Sequence, residues 1–343
     1  DLLSDGTNYK RISATKATKI NEGTFSEDDL ADGTSYKRVQ AAKADAINAG
    51  RDLGLTRYSL VPLYRPTADA VIAIKNLGSG IILVGTTNSI IRSTNYGKSW
   101  VNVASTTGYS SLFAQNGANV INAVKANFGY YLSTDNGATW VGPIIPAGAG
   151  GTYGGGVWYL NGRWFISDGS TPRKLFYSDV AAPSLATDWT EITTLTDCMS
   201  MVYFGTKLYA IKSGDGIYVS TDNGGTWAEV LDGSFANLVI AGSYLVALGA
   251  TVYRTTDGTT WTNANSNVSL GAAFYVTVLD TTIFARQNYK YIYFSTDYGT
   301  TWHNVGYELP SNQSSYGYSL ERVNATVLAG SYDGVYKLVE VVR

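Results

Sequence analysis

Short runs in which apolar and polar residues alternate fill most of the chain after residue 57, and they predict β-strands. The runs 201–212 and 238–248 are examples, each interrupted by a Gly-Thr or Gly-Ser pair. Such pairs favour tight turns, so neighbouring runs are expected to pair as antiparallel hairpins. The pattern predicts an all-β body.

A second pattern, S-x-D-x-G-x-x-W, recurs between pairs of these runs at 93–100, 133–140, 220–227, 255–261 and 295–302. A degenerate sixth copy runs from Ser178 to Trp189 and contains an insertion. The tryptophans recur about every 40 residues, which is the period of a propeller blade. The predicted turn residues are Asn95, Gly97, Trp100, Asp135, Gly137, Trp140, Asp188, Trp189, Asp222, Gly224, Trp227, Asp257, Gly258, Trp261, Asp297, Gly299 and Trp302.

Each position in this pattern has a structural explanation. The Asp carboxylate accepts N–H groups of the turn, Gly adopts a positive φ, and Trp supplies apolar surface between blades. Asn95 replaces Asp in the first copy, and the copy at 255–261 is one residue short. Because the motif recurs in nearly every repeat, it predicts a structural role and not a single active site.

The strands group into seven four-stranded blades within residues 58–343, and this gives a seven-bladed β-propeller with antiparallel blades. The last group has no copy of the pattern and lacks a fourth strand. Residues 57–64 are expected to supply that strand, which would close the ring and leave no open sheet edge. The predicted blades cover 70–105, 108–146, 150–193, 198–231, 234–265, 271–306 and 315–342.

The S-x-D-x-G-x-x-W pattern resembles the Asp box, or bacterial neuraminidase repeat, and this resemblance also implies a propeller. Sialidases share the repeat and bind the substrate carboxylate with three arginines, the first in an R-I-P motif. Here Arg65 lies in a Tyr-Arg-Pro segment without the Ile, and Tyr318 with Glu321 only superficially resembles the nucleophile region. A sialidase-like glycan-processing enzyme is therefore the alternative function.

Residues 1–57 are charged, Ala-rich and devoid of Trp, so the domain boundary is placed near Arg57. Residues 3–23 and 30–50 form a tandem repeat offset by 27 positions. Each unit predicts an Asp-Gly-Thr turn followed by a helix of about three turns with a narrow apolar stripe. The unit resembles segments of bacteriophage tail-fibre proteins, which implies attachment to other virion proteins and a homotrimer.

Charge and composition exclude several functional classes. The net charge of −2 argues against nucleic acid as a partner. A single histidine, His303, and a single cysteine, Cys198, exclude the usual multi-histidine metal sites and an intrachain disulfide. No cofactor, bound metal or membrane insertion is expected, and the first ten residues do not resemble a signal peptide.

Exposed aromatic rings are the remaining candidates for ligand contact. A Gly-rich segment, 148–159, contains Tyr153 and Trp158, and the segment 287–293 contains Tyr289 and Tyr291. Rigid aromatic faces suit sugar or protein partners, although packing between blades is the favoured explanation.

Together these features predict a non-catalytic phage virion protein, either a tail-fibre or a receptor-binding component that recognises a host-surface glycan or protein. A structural adaptor or a capsid-decorating fibre remains a third possibility.

Overall fold

The computed structural model describes residues 2–4, 9–11, 58–64, 69–106, 108, 110–124, 129–150, 155–270, 275–287, 291–309 and 319–340. The chain divides between Arg57 and Tyr58 into two compact units, 1–57 and 58–343.

In the first unit, β1 (Leu2–Ser4) and β2 (Tyr9–Arg11) form an antiparallel pair, with Leu2 opposite Arg11. The expectation of a helix directly after the first Asp-Gly-Thr turn is not supported, because Tyr9–Arg11 is a strand. Asp-Gly is a strong hairpin signal when short extended runs flank it, and here it outweighs the helical spacing of the residues that follow. The rest of the predicted helices, in 12–57, lies outside the described residues.

The second unit contains seven four-stranded antiparallel sheets, and these are the blades of the predicted propeller. Blade 1 consists of β4 (Val71–Gly78), β5 (Ile81–Thr86), β6 (Ser89–Ser93) and β7 (Val101–Ser105). Blade 2 consists of β8 (Ser110–Asn116), β9 (Asn119–Val124), β10 (Gly129–Ser133) and β11 (Val141–Ile144). Blade 3 consists of β12 (Val157–Leu160), β13 (Arg163–Ser167), β14 (Leu175–Ser178) and β15 (Thr190–Ile192). A short 3-10 helix, Ala186–Asp188, lies in the insertion of blade 3.

Blade 4 consists of β16 (Cys198–Phe204), β17 (Lys207–Lys212), β18 (Gly216–Ser220) and β19 (Ala228–Asp232). Blade 5 consists of β20 (Phe235–Ala241), β21 (Tyr244–Gly249), β22 (Tyr253–Thr255) and β23 (Thr262–Asn263). Blade 6 consists of β24 (Tyr275–Leu279), β25 (Thr282–Gln287), β26 (Tyr291–Ser295) and β27 (His303–Glu308). Blade 7 consists of β28 (Leu320–Val323), β29 (Thr326–Ser331), β30 (Gly334–Glu340) and β3 (Tyr58–Tyr64). Within the described part of the chain, no helix is long and apolar enough to span a membrane.

Blade 7 is closed by the N-terminal strand of the propeller, as the sequence predicts. Strand β3 pairs with β30, and Leu60 lies opposite Leu338. On the inner side of the ring, Lys75 Nζ in blade 1 lies 3.4 Å from Glu321 Oε1 in blade 7. The two ends of the propeller sequence therefore meet in one sheet, so this blade has its full set of four strands.

The hydrophobic core lies between neighbouring blades. Between blades 3 and 4, for example, Phe165 and Leu175 pack with Cys198 and Leu208 in one buried cluster. Side chains on the two faces of each sheet enter different clusters, because successive strand residues point to opposite faces.

The glycine of each S-x-D-x-G-x-x-W turn packs against the preceding blade. Gly137 in blade 2 has a φ of +75°, and a Cβ added there would lie 2.6 Å from Leu83 Cδ2 in blade 1. The equivalent glycines face Leu63, Phe165, Tyr209 and Val252. Each of these turns therefore needs glycine for two reasons, the positive φ and the lack of space.

This double requirement can be tested with two substitutions. Gly162 also has a positive φ, of +81°, but no atom lies within 4 Å of an added Cβ. Gly162→Ala should cost about 1–2 kcal/mol for the left-handed backbone alone. Gly137→Ala should cost roughly 1–3 kcal/mol more, because the methyl group overpacks the contact between the blades. Denaturant unfolding of both variants measures the difference, and equal losses would contradict the packing role.

Candidate functional site

The two faces of the propeller differ in what connects their strands. Because consecutive strands of a blade are antiparallel neighbours, their connections alternate between the two ends of the blade. One face, here called the turn face, carries the turns between first and second strands and those between third and fourth strands. The other, the loop face, carries the loops between second and third strands and the connections from blade to blade.

On the turn face, a serine or threonine hydroxyl organises each regular turn. In blade 4, Ser220 Oγ donates to Asp222 Oδ1 at 2.7 Å and accepts the Gly224 N–H at 2.8 Å. Asp222 also accepts the Thr226 N–H at 2.9 Å, and the Trp227 indole N–H donates to the Gly224 carbonyl at 3.2 Å. Hydrogen bonds from Thr226 and Ser220 lower the pKa of Asp222 to about 2, so the carboxylate is charged at neutral pH.

The same bonds recur in other blades. Turn-glycine N–H groups donate to Ser93, Ser133, Thr255 and Ser295. The substitution at Asn95 keeps the network, because its Oδ1 accepts the Ser99 N–H at 2.9 Å. These carboxylate and amide groups accept hydrogen bonds within their own turns.

Two copies depart from the regular network. In the shortened turn of blade 5, the Trp261 indole N–H is buried and has no hydrogen-bond partner. In blade 3, the Trp189 indole instead donates to Tyr130 Oη of blade 2 at 2.7 Å, and Tyr130 donates to the Pro183 carbonyl at 2.9 Å. The insertion therefore joins blade 3 to blade 2 by buried hydrogen bonds.

On the loop face, polar side chains hold the incoming connections in place. In blade 3, the fully buried Asp168 accepts the N–H groups of Gly150, Ser170 and Lys174 at 3.0, 3.0 and 2.7 Å. In blade 1, Asp69 accepts the Thr87 hydroxyl at 2.8 Å. These bonds tie the connection that enters a blade to the next loop of the same blade, so the described loops have defined conformations.

The predicted aromatic residues do not form one group. Trp158 is half-buried at the loop-face end of β12, where it packs against the cluster between blades 3 and 4. Tyr291 is half-buried at the start of β26 in blade 6. Tyr153 and Tyr289 lie outside the described residues. Blades 3 and 6 lie far apart in the ring, so Trp158 and Tyr291 belong to separate parts of the loop face.

The residues weighed for sialidase chemistry are only partly described, because Arg65 and Tyr318 lie outside the described residues. Glu321 is described, and its Oε1 accepts the Asn76 N–H of blade 1 at 3.1 Å in addition to the ion pair with Lys75. Glu321 thus contributes to ring closure. Among the described side chains, no group of three or more His, Cys, Asp or Glu lies close enough to hold a metal ion.

Sequence reasoning missed two features of these faces. The first is the turn Ser or Thr, whose presence in every regular copy was the available signal. The second is a D-G-[IV]-Y motif on the loop face at 215–218 and 333–336. In both copies the Tyr hydroxyl donates to the Asp carboxylate, at 2.9 Å for Tyr218 and 2.8 Å for Tyr336.

No family model matches this chain, and no curated protein matches it. Several solved structures share the fold. YCF48 from Cyanidioschyzon merolae has a TM-score of 0.56 and 14% identity, over 83% of this chain and 98% of that one. The WD40 β-propeller domain of Doa1 has a TM-score of 0.60 and 8% identity, over 83% of this chain and 97% of that one. The GH74 enzyme of Niastella koreensis has a TM-score of 0.56 and 18% identity, over 79% of this chain and 43% of that one. At these identities the comparisons show that the second unit is a β-propeller.

The role of the turn hydroxyl leads to a stability prediction. Ser220→Ala should destabilise the propeller by about 1–3 kcal/mol, because it leaves the buried Gly224 N–H without a partner. Thr221→Ala is the matched control, since Thr221 is exposed and adjacent, and it should change stability by less than about 0.5 kcal/mol. Urea unfolding of both variants provides the comparison. A Ser220→Ala variant as stable as the control would refute the hydroxyl's role.

Proposed function

We propose that this chain is a bacteriophage virion protein, a tail-fibre or receptor-binding component. Its propeller recognises a host-surface glycan or protein without catalysis. Residues 1–57 attach it to other virion proteins and assemble it as a homotrimer. A purely structural adaptor would share the fold and the attachment segment, but it would not need a partner-binding face.

The observation that carries the recognition role is the contrast between the two faces. On the turn face, the motif carboxylates are occupied by hydrogen bonds within their own turns. On the loop face, buried polar groups such as Asp168 hold connections that vary in length from blade to blade. Variable segments on a rigid scaffold are a common arrangement for binding.

The local use of carboxylates supports a non-catalytic role. A glycosidase needs two carboxyl groups that face one substrate bond. In the described propeller, Glu321 pairs with Lys75, Glu191 with Lys174 and Asp215 with Lys212. Each of these groups is held in a structural ion pair. Because a propeller fold is compatible with many functions, this argument rests on the site and not on the fold.

The virion assignment rests on the resemblance of the N-terminal tandem repeat to phage tail-fibre segments. Antibodies raised against residues 58–343 should label one defined structure of the phage particles released by cells that encode this chain. In parallel, purified full-length chain should not hydrolyse a fluorogenic sialoside. Unlabelled particles would refute the virion role. Turnover that disappears in an Arg65→Gln or Tyr318→Phe variant would make the sialidase alternative the leading one.

The assembly role of residues 1–57 predicts a change in oligomeric state. The full chain should be a trimer by light scattering, whereas residues 58–343 should be a folded monomer. The shorter chain keeps β3 and therefore the complete ring. A full chain that stays monomeric at high concentration would contradict self-assembly. In that case the segment would only dock onto another virion protein.

A further inference from the structure

The loop-face end of the junction between blades 3 and 4 carries a half-buried tryptophan and a half-buried arginine. Trp158 lies at the start of the innermost strand of blade 3, and its ring fills the space above Gly156, where an added Cβ would lie 1.9 Å from Trp158 Cη2. Arg173 lies in the loop between the second and third strands of the same blade. We call this region the 3/4 junction and define it by Trp158, Arg173, Asp197 and Cys198.

The backbone of Arg173 is held from both sides by blade 4. The Arg173 N–H donates to Asp197 Oδ1 at 3.0 Å, and the Asp197 N–H donates to the Arg173 carbonyl at 2.9 Å. Asp197 itself adopts a left-handed backbone with a φ of +56°. The next residue, Lys174, is bound through its N–H to the buried Asp168 at 2.7 Å. The position from which the arginine side chain extends is therefore well defined.

The carboxylates around Arg173 bind other groups. Asp168 accepts backbone N–H groups, and Glu191 pairs with Lys174 Nζ at 3.1 Å. Asp215 pairs with Lys212 and accepts the Tyr218 hydroxyl. Asp197 accepts the backbone N–H of Arg173 but no hydrogen bond from the Arg173 guanidinium. None of these acids therefore forms an ion pair with the Arg173 guanidinium.

The other described arginines of the propeller all use their guanidinium groups within the fold. Their acceptors are the Asn136 carbonyl for Arg92, Asp179 for Arg163, the Asp297 carbonyl for Arg254, the Gly330 carbonyl for Arg286 and Asp280 for Arg322. Of the six described arginines of the propeller, Arg173 is the one whose guanidinium has no hydrogen bond or ion pair. A cation held in position without an internal acceptor is suited to an external anion.

Trp158 and Arg173 lie at the same end of the junction, because Asp197, which binds the Arg173 backbone, directly precedes Cys198 in the chain. Trp158 packs against the cluster that contains Cys198. An indole and an available guanidinium at the same end of one junction can contact the C–H face of a sugar ring and its acidic substituent together.

We propose that the 3/4 junction binds an acidic polysaccharide, with the Arg173 guanidinium pairing with a sugar carboxylate and the Trp158 ring contacting the sugar face. This inference rests on the proposed recognition function and names its ligand class. The net charge of −2 on the whole chain makes general attraction to a polyanion weak, so binding depends on this local cation.

The test uses the full-length chain and three polymers, measured by isothermal titration calorimetry. Polygalacturonate and alginate carry sugar carboxylates, and fully methyl-esterified polygalacturonate has the same sugar backbone without charge. The wild-type chain should bind at least one of the two charged polymers and should not bind the ester. Arg173→Gln should weaken binding by about tenfold to a hundredfold, the range for a lost charge-assisted hydrogen bond.

Two controls make the result specific. Arg322→Gln removes an exposed arginine from the turn face and should leave the affinity unchanged. Arg173→Lys keeps the charge but loses the planar fork, so it should restore only part of the affinity. Melting curves should be the same for Arg173→Gln and wild type, because the guanidinium has no internal partner.

The inference fails if wild type binds neither charged polymer, if the ester binds equally well, or if Arg173→Gln binds as tightly as wild type. Equal loss in Arg322→Gln would also overturn it, since binding would then follow total charge. If antibodies label the phage particles but one of these outcomes is found, only the ligand assignment is wrong. If binding depends on Arg173 but antibodies do not label the phage particles, only the virion assignment is wrong.

Discussion

The contact on which the propeller depends is a turn glycine packed against the preceding blade and held there by a hydroxyl. The Gly137 N–H donates to Ser133 Oγ at 2.8 Å, while its α-carbon lies so close to Leu83 that a side chain has no room. The hydrogen bond fixes the turn within its own blade, and the packing fixes that blade against its neighbour. Repeated in five of the seven blades, this contact sets the spacing of the blades. Where blade 3 lacks it, buried hydrogen bonds from Trp189 and Tyr130 join the blades instead.

The position of these contacts between blades explains why the two faces differ. The turn face is occupied by bonds that maintain the ring, so its Asp and Trp side chains are committed to structure. The loop face bears connections whose lengths vary without disturbing those contacts. Asp168 shows how such a connection is held, since one buried carboxylate binds three N–H groups from two segments. The proposed recognition role uses the loop face, where the contacts that hold the blades together constrain the sequence less.

Much of the propeller could be predicted from the sequence because its determinants are local. Asp, Gly and Trp recur at fixed spacing within a single turn, and alternating apolar residues mark the strands on either side. The closing strand was predictable because the last repeat lacked a partner for its third strand. The structure of residues 1–57 was harder to predict, because an Asp-Gly-Thr turn can precede either a strand or a helix, and Tyr9–Arg11 forms a strand.

The candidate site could not be predicted in the same way, because it depends on contacts between distant segments. Nothing in the sequence around Arg173 shows that Asp197 binds its backbone or that Glu191 pairs with Lys174. Trp158 was singled out, but its packing against the cluster that contains Cys198 follows only from the packing of blade 4 against blade 3.

The most direct test of the central contact is hydrogen exchange at the turn glycines of residues 58–343. The account predicts that the N–H groups of Gly137, Gly224 and Gly299 exchange as slowly as those of the core strands, since each donates to a buried hydroxyl. Gly162, in an open hairpin turn, should exchange much faster. Exchange of the turn glycines at the rate of Gly162 would contradict the claim that these contacts hold the ring together.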